Sequence, residues 1–172
     1  MTRAKAKAKV KAKAKAKAKA GNPARTTRRQ RPAKRSKPAA AAQARPAQRF
    51  TVSHHRDEDF QTNGLRAYAK YRDLGTNQAT HGMVQAHVIR LVPPCRPEEV
   101  SKRHYHEVDF QMVYVLKGWM KTELAGQGAI MMKEGSCWIQ PPRIEHTVLD
   151  YSDDCEVLEI VLPADFKTIE LE

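Results

Sequence analysis

Three residues have types and spacing that point to chemistry at a metal ion: His104, His106 and His146, with Gln111 between them. His104 and His106 are two apart, so on a strand both imidazoles leave from one face, where two rings can chelate one ion. Gln111 follows five residues later, near the start of the apolar run Phe110 to Leu116. His146 comes forty residues after His106, just past Pro141-Pro142, where a rigid turn presents it at a strand start. Each residue alone reads as a surface or satisfied core side chain. Together they suggest a site for a divalent metal ion, with Fe, Mn, Ni and Zn all compatible with imidazole ligands.

Glu159 is a fifth candidate. It sits in Val157 to Leu162, apolar on both sides, as expected of a strand covered on both faces. A carboxylate there needs a partner, or its pKa rises. Two readings are open: a catalytic general acid/base facing the interior, and a salt-bridged carboxylate at a dimer face. His54, His55, His81 and His87 have no partner at ligand spacing and read as incidental, with His87 a candidate for the interior. Met112, Tyr114 and Trp119 read as core or dimer interface. Cys95, Cys137 and Cys155 are an odd number at wide spacing, which suits inert buried thiols better than a disulfide framework or zinc finger.

The elements that must position these residues are short strands. Alternation or β-branched runs predict strands over 64–73, 83–92, 110–116, 119–124, 129–132, 136–140, 147–151 and 156–162, separated by Gly and Pro turns. A helical turn is expected within Asp57 to Thr62, and no amphipathic helix elsewhere. Such a series predicts an all-β fold, with a small jelly-roll barrel the economical architecture.

The charge is divided along the chain. The formal net charge is +12, yet residues 1–49 hold 18 Lys and Arg and no acid, leaving residues 50–172 acidic. From Lys5 to Lys19 lysine alternates with alanine, broken only by Val10. Period two spreads the ammonium groups around any helix and leaves no apolar face. Residues 1–49 are therefore expected to be a disordered tail, with two readings open: non-specific nucleic acid or polyanion binding by counterion release, and a solubilising low-complexity extension or a start placed too far upstream. No apolar run is long enough to span a membrane, and no secretory leader is expected. A cytoplasmic protein is the expectation.

The spacing of the histidines also carries a resemblance. His104-Tyr105-His106, Gln111 and Gly118 resemble the first cupin motif, HxHxxxxE followed by x6-G. Gly135, Pro141, His146 and Asp150 are similar to the second, GxxxxxPxGxxHxxxN. The resemblance, over about 82–163, is to small single-domain cupins. It implies a double-stranded β-helix barrel with an internal metal, assembled as a homodimer. It also implies a division into the tail, 50–81 as strands and connector packed on the barrel, and 82–172 as the barrel. Arg143 replaces the motif glycine, so the turn is expected to avoid positive φ. Gln111 replaces the ligand Glu.

The His-His-Gln-His set is similar to that of pectin-degradation cupins, which carry D-x-F-x-x-x-R on and after the last strand. Here that stretch keeps an acid at Glu159 but has Val161 and Asp165 in place of the aromatic and the arginine, so the cation for a uronate carboxylate is missing from it. A neutral amide ligand leaves the metal charge uncompensated, favouring Lewis-acid isomerase or lyase chemistry on a small polar or sugar-like molecule. The alternatives are a non-catalytic sensing cupin tethered to nucleic acid by its tail, and a cupin dioxygenase.

Overall fold

The computed structural model describes residues 45–171 apart from Asn63, Leu65 and Ser101. The expected basic tail lies outside the described residues except for 45–49, where the Arg49 N–H and guanidinium donate to the carbonyls of Ala79 and Gln78 at 2.9 Å each. Twelve main elements follow. They are β1 (Ala69–Asp73), α1 (Thr76–Ala79), β2 (Gln85–Leu91), α2 (Pro97–Val100), β3 (His104–Glu107) and β4 (Phe110–Lys117). Then come β5 (Trp119–Leu124), β6 (Gly128–Lys133), β7 (Cys137–Ile139), β8 (His146–Tyr151), β9 (Glu156–Leu162) and β10 (Lys167–Glu170). The two helices are single turns, and a 3-10 turn at Asp57–Asp59 occupies the expected helical segment.

The strands form two five-stranded sheets in the orders β1-β2-β9-β4-β7 and β10-β3-β8-β5-β6, an all-β double-stranded β-helix. Every described pairing is antiparallel, and sequence neighbours are often split between the sheets, so the chain winds back and forth across the barrel. β3 and β10 were not among the expected strands. Each is four residues long, too short to show a period. The first expected strand shrinks to Ala69–Asp73, because a turn occupies the residues before it.

Alternation explains the core. On β4, Gln111, Val113 and Val115 are buried, while Phe110, Tyr114 and Leu116 face outward. β9 pairs with β2 on one edge and β4 on the other, which makes it the central strand of its sheet. Val113, Val115, Met120, Leu124, Tyr151, Cys155 and Val157 belong to one buried cluster. Each large side chain fully buried there contributes roughly 1.5–3 kcal/mol. Cys155 is fully buried, as expected, but Cys137 is exposed. It lies on short β7 opposite Tyr114, on the outward face of its sheet.

The β4–β5 turn shows why a glycine is required. Gly118 has φ +68°, and a Cβ there would lie 2.2 Å from Ser152 Oγ and 2.7 Å from Asp154 Oδ1. The Ser152 hydroxyl accepts the Trp119 N–H at 2.9 Å, so a side chain at 118 must displace that acceptor. Left-handed backbone costs an L-residue about 1–2 kcal/mol, and the lost hydrogen bond about 1 more. Gly118→Ala is thus expected to lower the unfolding free energy by about 2–3 kcal/mol, read from urea titration; an unchanged midpoint would show that the turn relaxes freely.

Candidate metal centre

The sheet containing β3 and β8 builds the histidine cluster. His104 and His146 are direct cross-strand partners, and His106 is one pleat further along β3 on the same face. The three side chains are buried, and their ring centroids lie 4.3–5.1 Å apart. One ring nitrogen from each lies within 4.8 Å of the others. The opposite nitrogens are tied back. His104 Nδ1 meets the Lys102 carbonyl and His146 Nδ1 the Ile144 carbonyl, each at 2.9 Å, and His106 Nδ1 meets Thr168 Oγ1 at 2.8 Å. A carbonyl can only accept, so His104 and His146 carry their proton on Nδ1 and present the Nε2 lone pair. Such partners orient metal-binding imidazoles.

Burial also keeps the rings neutral. Desolvation, then the neighbouring His146, lowers His104 to about 3. Desolvation lowers His106 to about 4, against the opposing charge of Glu159. His146 is lowered too, chiefly by desolvation. Three neutral imidazoles, each with a ring nitrogen within 4.8 Å of the others, fit a divalent transition-metal ion.

Gln111 and Glu159 face the same interior from the other sheet. Gln111 is 2% exposed, and its Nε2 donates to Glu159 Oε1 at 2.7 Å. Glu159 Oε2 is 2.6 Å from His87 Nε2, its cross-strand neighbour on β2. Burial pushes the Glu159 carboxyl up, but the hydrogen bond and charge of His87, with help from Gln111, outweigh it and hold the group below its ordinary value. The amide nitrogen of Gln111 is thereby committed to the carboxylate, which leaves the carbonyl arm for any ligand role. Glu159 lines the interior cavity and not the outer sheet face. His87, read as incidental from the sequence, is its partner across the strand and edge-on to Tyr71 at 5.3 Å between centroids.

The cavity measures about 990 Å³ and is lined by all three cluster histidines, His87, Glu159, Trp138 and Gln140, among others. Arg66 also lines it, with its Nη1 donating to Glu170 Oε1 at 2.6 Å. His87 is the expected candidate for the interior and lines the cavity, but its pairing with Glu159, like Arg66 and Thr168 altogether, escapes sequence reasoning. Their partners are 104, 72 and 62 residues away, and no local period marks such a contact.

The expectation at Arg143 fails. Its φ is +62°, the left-handed conformation that the motif glycine would supply. The turn is held by Ile144 N–H to the Pro141 carbonyl at 3.0 Å, and by Arg143 N–H to the His106 carbonyl at 3.1 Å. These bonds dock the turn before His146 onto β3 and outweigh a strain of about 1–2 kcal/mol.

The histidines also set a pH dependence. Their folded pKa values lie below the unfolded value near 6.5, so the unfolded chain takes up protons first and stability falls as pH drops below 6.5. For His104 the loss continues toward about 3 and for His106 toward about 4, at up to about 1.4 kcal/mol per pH unit for each ring. Metal-stripped protein is expected to lose denaturant stability between pH 6.5 and 4, and His104→Asn to flatten that slope by one proton. A stability independent of pH across this window would contradict the burial of neutral rings.

Residues 95–161 match the family model described as a cupin domain. No curated protein matches the sequence. Among solved structures the chain is similar to KdgF from Halomonas sp., with 21% identity and TM-score 0.51, covering 67% of this chain and 94% of that one. It is also similar to the polyketide cyclase RemF from Streptomyces resistomycificus, with 17% identity and TM-score 0.54, covering 70% and 86%. Oxalate decarboxylase from Bacillus subtilis aligns with 18% identity and TM-score 0.52, covering 73% of this chain and 34% of the other. At these identities the likeness is one of fold. The matched stretch runs from just before α2 into β9, and the described residues fold as a double-stranded β-helix with a histidine triad in its interior.

Proposed function

We propose that the protein is a metal-dependent cupin whose His104, His106, Gln111 and His146 hold a divalent ion, Fe, Mn, Ni or Zn, for isomerase- or lyase-type chemistry on a small polar or sugar-like molecule. The observation that carries this reading is the convergence of three neutral, tied-back imidazoles at the wall of a 990 Å³ cavity. When bound, the ion supplies Lewis acidity toward a substrate oxygen. Glu159, ionised at neutral pH, accepts a proton from a molecule held beside it, and His87 holds the carboxylate in place. The activities of two proteins of similar fold, a polyketide cyclase and an oxalate decarboxylase, are compatible with non-hydrolytic chemistry in such a barrel.

Glu159 also revises the charge argument. The negative charge missing at position 111 is retained one amide further out, where it offsets the metal less than a directly bound carboxylate would. Metal analysis of purified protein tests the centre. A stoichiometric divalent ion is expected, lost in His104→Ala and His146→Ala variants that keep the wild-type circular dichroism. Unchanged metal content in folded variants would sink the proposal, and a metal-free barrel that still binds small molecules would favour the sensing alternative. With metal retained, Glu159→Gln is expected to lower turnover of whatever substrate is found by about 10²–10⁴-fold.

Two further readings concern partners. The outward face of the first sheet exposes Phe110, Tyr114, Leu116 and Ile139 side by side with the partly buried Met112, Leu158 and Ile160, an apolar surface suited to a second copy of the chain. The basic stretch of 1–49 is suited to non-specific nucleic acid binding through its charge alone. Three free thiols are compatible with a cytoplasmic location, and among the described residues no helix is long and apolar enough to cross a membrane. We therefore retain the division into a tail at 1–49, a strand-and-connector segment at 50–81 and a barrel at 82–172. Sedimentation velocity is expected to show a dimer that gains mass with duplex DNA at low salt. Removing 1–44, which spares the Arg49 contacts, should keep the dimer and abolish the DNA shift; a monomer, or DNA binding without those residues, would refute the corresponding reading.

A further inference from the structure

One run of consecutive residues in the cavity wall is secured by no sheet or turn. Thr51, Val52, Ser53 and His54 all line the cavity, yet none exchanges a main-chain hydrogen bond with another described main-chain group. The chain is fastened on both sides of the run. Before it, the Arg49 N–H and guanidinium donate to the Ala79 and Gln78 carbonyls, and the Ala47 carbonyl lies 3.0 Å from His81 Nε2. After it, Phe60 is buried with the Arg90 guanidinium 3.8 Å over its ring. Gln61 then exchanges two main-chain bonds with Tyr71, at 2.8 and 2.9 Å. Residues 50–56 are thus a strap with fixed ends and a lightly held middle. Its apolar side chains are not tucked into the barrel, for Phe50 is 93% exposed and Val52 61%.

One side chain latches that middle. Arg72 Nη1 donates to Ser53 Oγ at 2.9 Å and to the His54 carbonyl at 3.4 Å. Arg72 is 8% exposed, and among the described residues it has no carboxylate partner. Its Nε is buried without an acceptor. A buried guanidinium is ordinarily paired with an anion, and it has five N–H groups to satisfy. Here the strap covers the charge and supplies only a hydroxyl and a carbonyl. Lifting the strap would replace both partners by water and open the guanidinium to solvent. Desolvation of Arg72 therefore works against the latch, and the run can part from the barrel without breaking a main-chain bond. The strap's other near neighbour is the β1–α1 turn, where a Cβ at Gly75 would lie 3.2 Å from Thr51 Oγ1.

We infer that residues 50–56 are a gate to the cavity, latched by Arg72: the strap lifts between Arg49 and Phe60 to admit a molecule and settles over it again. Both the strap and its latch lie outside the matched 95–161 stretch. The buried cluster histidines, 6–7% exposed, stand behind this wall. Their access to solutes is set by how often the strap is up. Neither the ion nor a particular substrate is required for such a gate.

The test is modification of the metal-stripped full chain by diethyl pyrocarbonate, with the carbethoxylated histidines located by peptide mass mapping. His104, His106 and His146 are the reporters, and the exposed His81, outside the strap, is the internal standard. In the wild type the three buried rings are expected to react more slowly than His81. Thr51→Cys combined with Gly75→Cys places two thiols at the strap's contact with the turn. Oxidised, this variant should slow the three rings about tenfold further, and reduction should restore the rate. Arg72→Gln should speed them about tenfold to a hundredfold, the equivalent of one hydrogen bond to a charged group. The 51–75 disulfide should abolish that increase, which a general loosening of the barrel would survive. Ser53→Ala, a change on the strap alone, should act like Arg72→Gln but less strongly; it reports on the latch even where the other variants do not fold. Equal rates in the oxidised and reduced forms, a folded double variant that does not oxidise, wild-type rings as reactive as His81, or folded Arg72→Gln and Ser53→Ala that react like wild type would each overturn the inference. Metal content enters none of these measurements, so the metal-centre reading stands or falls separately.

Discussion

The buried carboxylate of Glu159 organises the site. Burial alone would drive it to protonate, so its ionised state depends on donors from both neighbouring strands: Gln111 on β4 and His87 on β2. β9 lies between those strands, which makes the three residues a ladder across the middle of one sheet. Removing either donor would leave a buried charge with half its partners, a costly change in a low-dielectric interior. The same ladder explains why a glutamine suits position 111. A glutamate there would set two carboxylates against each other across 2.7 Å, and both could not stay ionised.

The two sheets divide the chemistry between them. One contributes neutral imidazoles whose outer nitrogens are bound to backbone and to Thr168. The other contributes the anion and the amide. The cavity between them is lined also by segments before the matched stretch, among them Arg66, Tyr71 and His87. Two cupin motifs alone therefore describe the histidine side of the site and leave its charged side unspecified. This division matters for specificity, because a metal centre fixes the class of chemistry while the facing wall selects the molecule.

Much of the fold could be read from alternation and turn chemistry. The expected strands from 83 to 162 correspond closely to observed ones, because each alternates or lies between Gly and Pro turns. β3 and β10 escaped for want of length, and the strand expected from Gly64 was cut short by a turn. Arg143 shows a limit of another kind. Residue type argued against positive φ, yet backbone hydrogen bonds from the turn impose it, and tertiary contacts override a local preference of about 1–2 kcal/mol.

By itself the sequence determined the all-β class, the division between a basic stretch and an acidic barrel, and the grouping of His104, His106 and His146. The first two are local, a period of two and a run of one charge; the third joined the His104–His106 pair to His146, forty residues on, through the spacing of two motifs. Only the tertiary structure decided that Glu159 faces inward, that His87 and Gln111 hold it, that Cys137 is exposed and that Arg66 enters the cavity. These are pairings across tens of residues, set by strand register and sheet order. A one-residue slip in register would send each of those side chains to the opposite face.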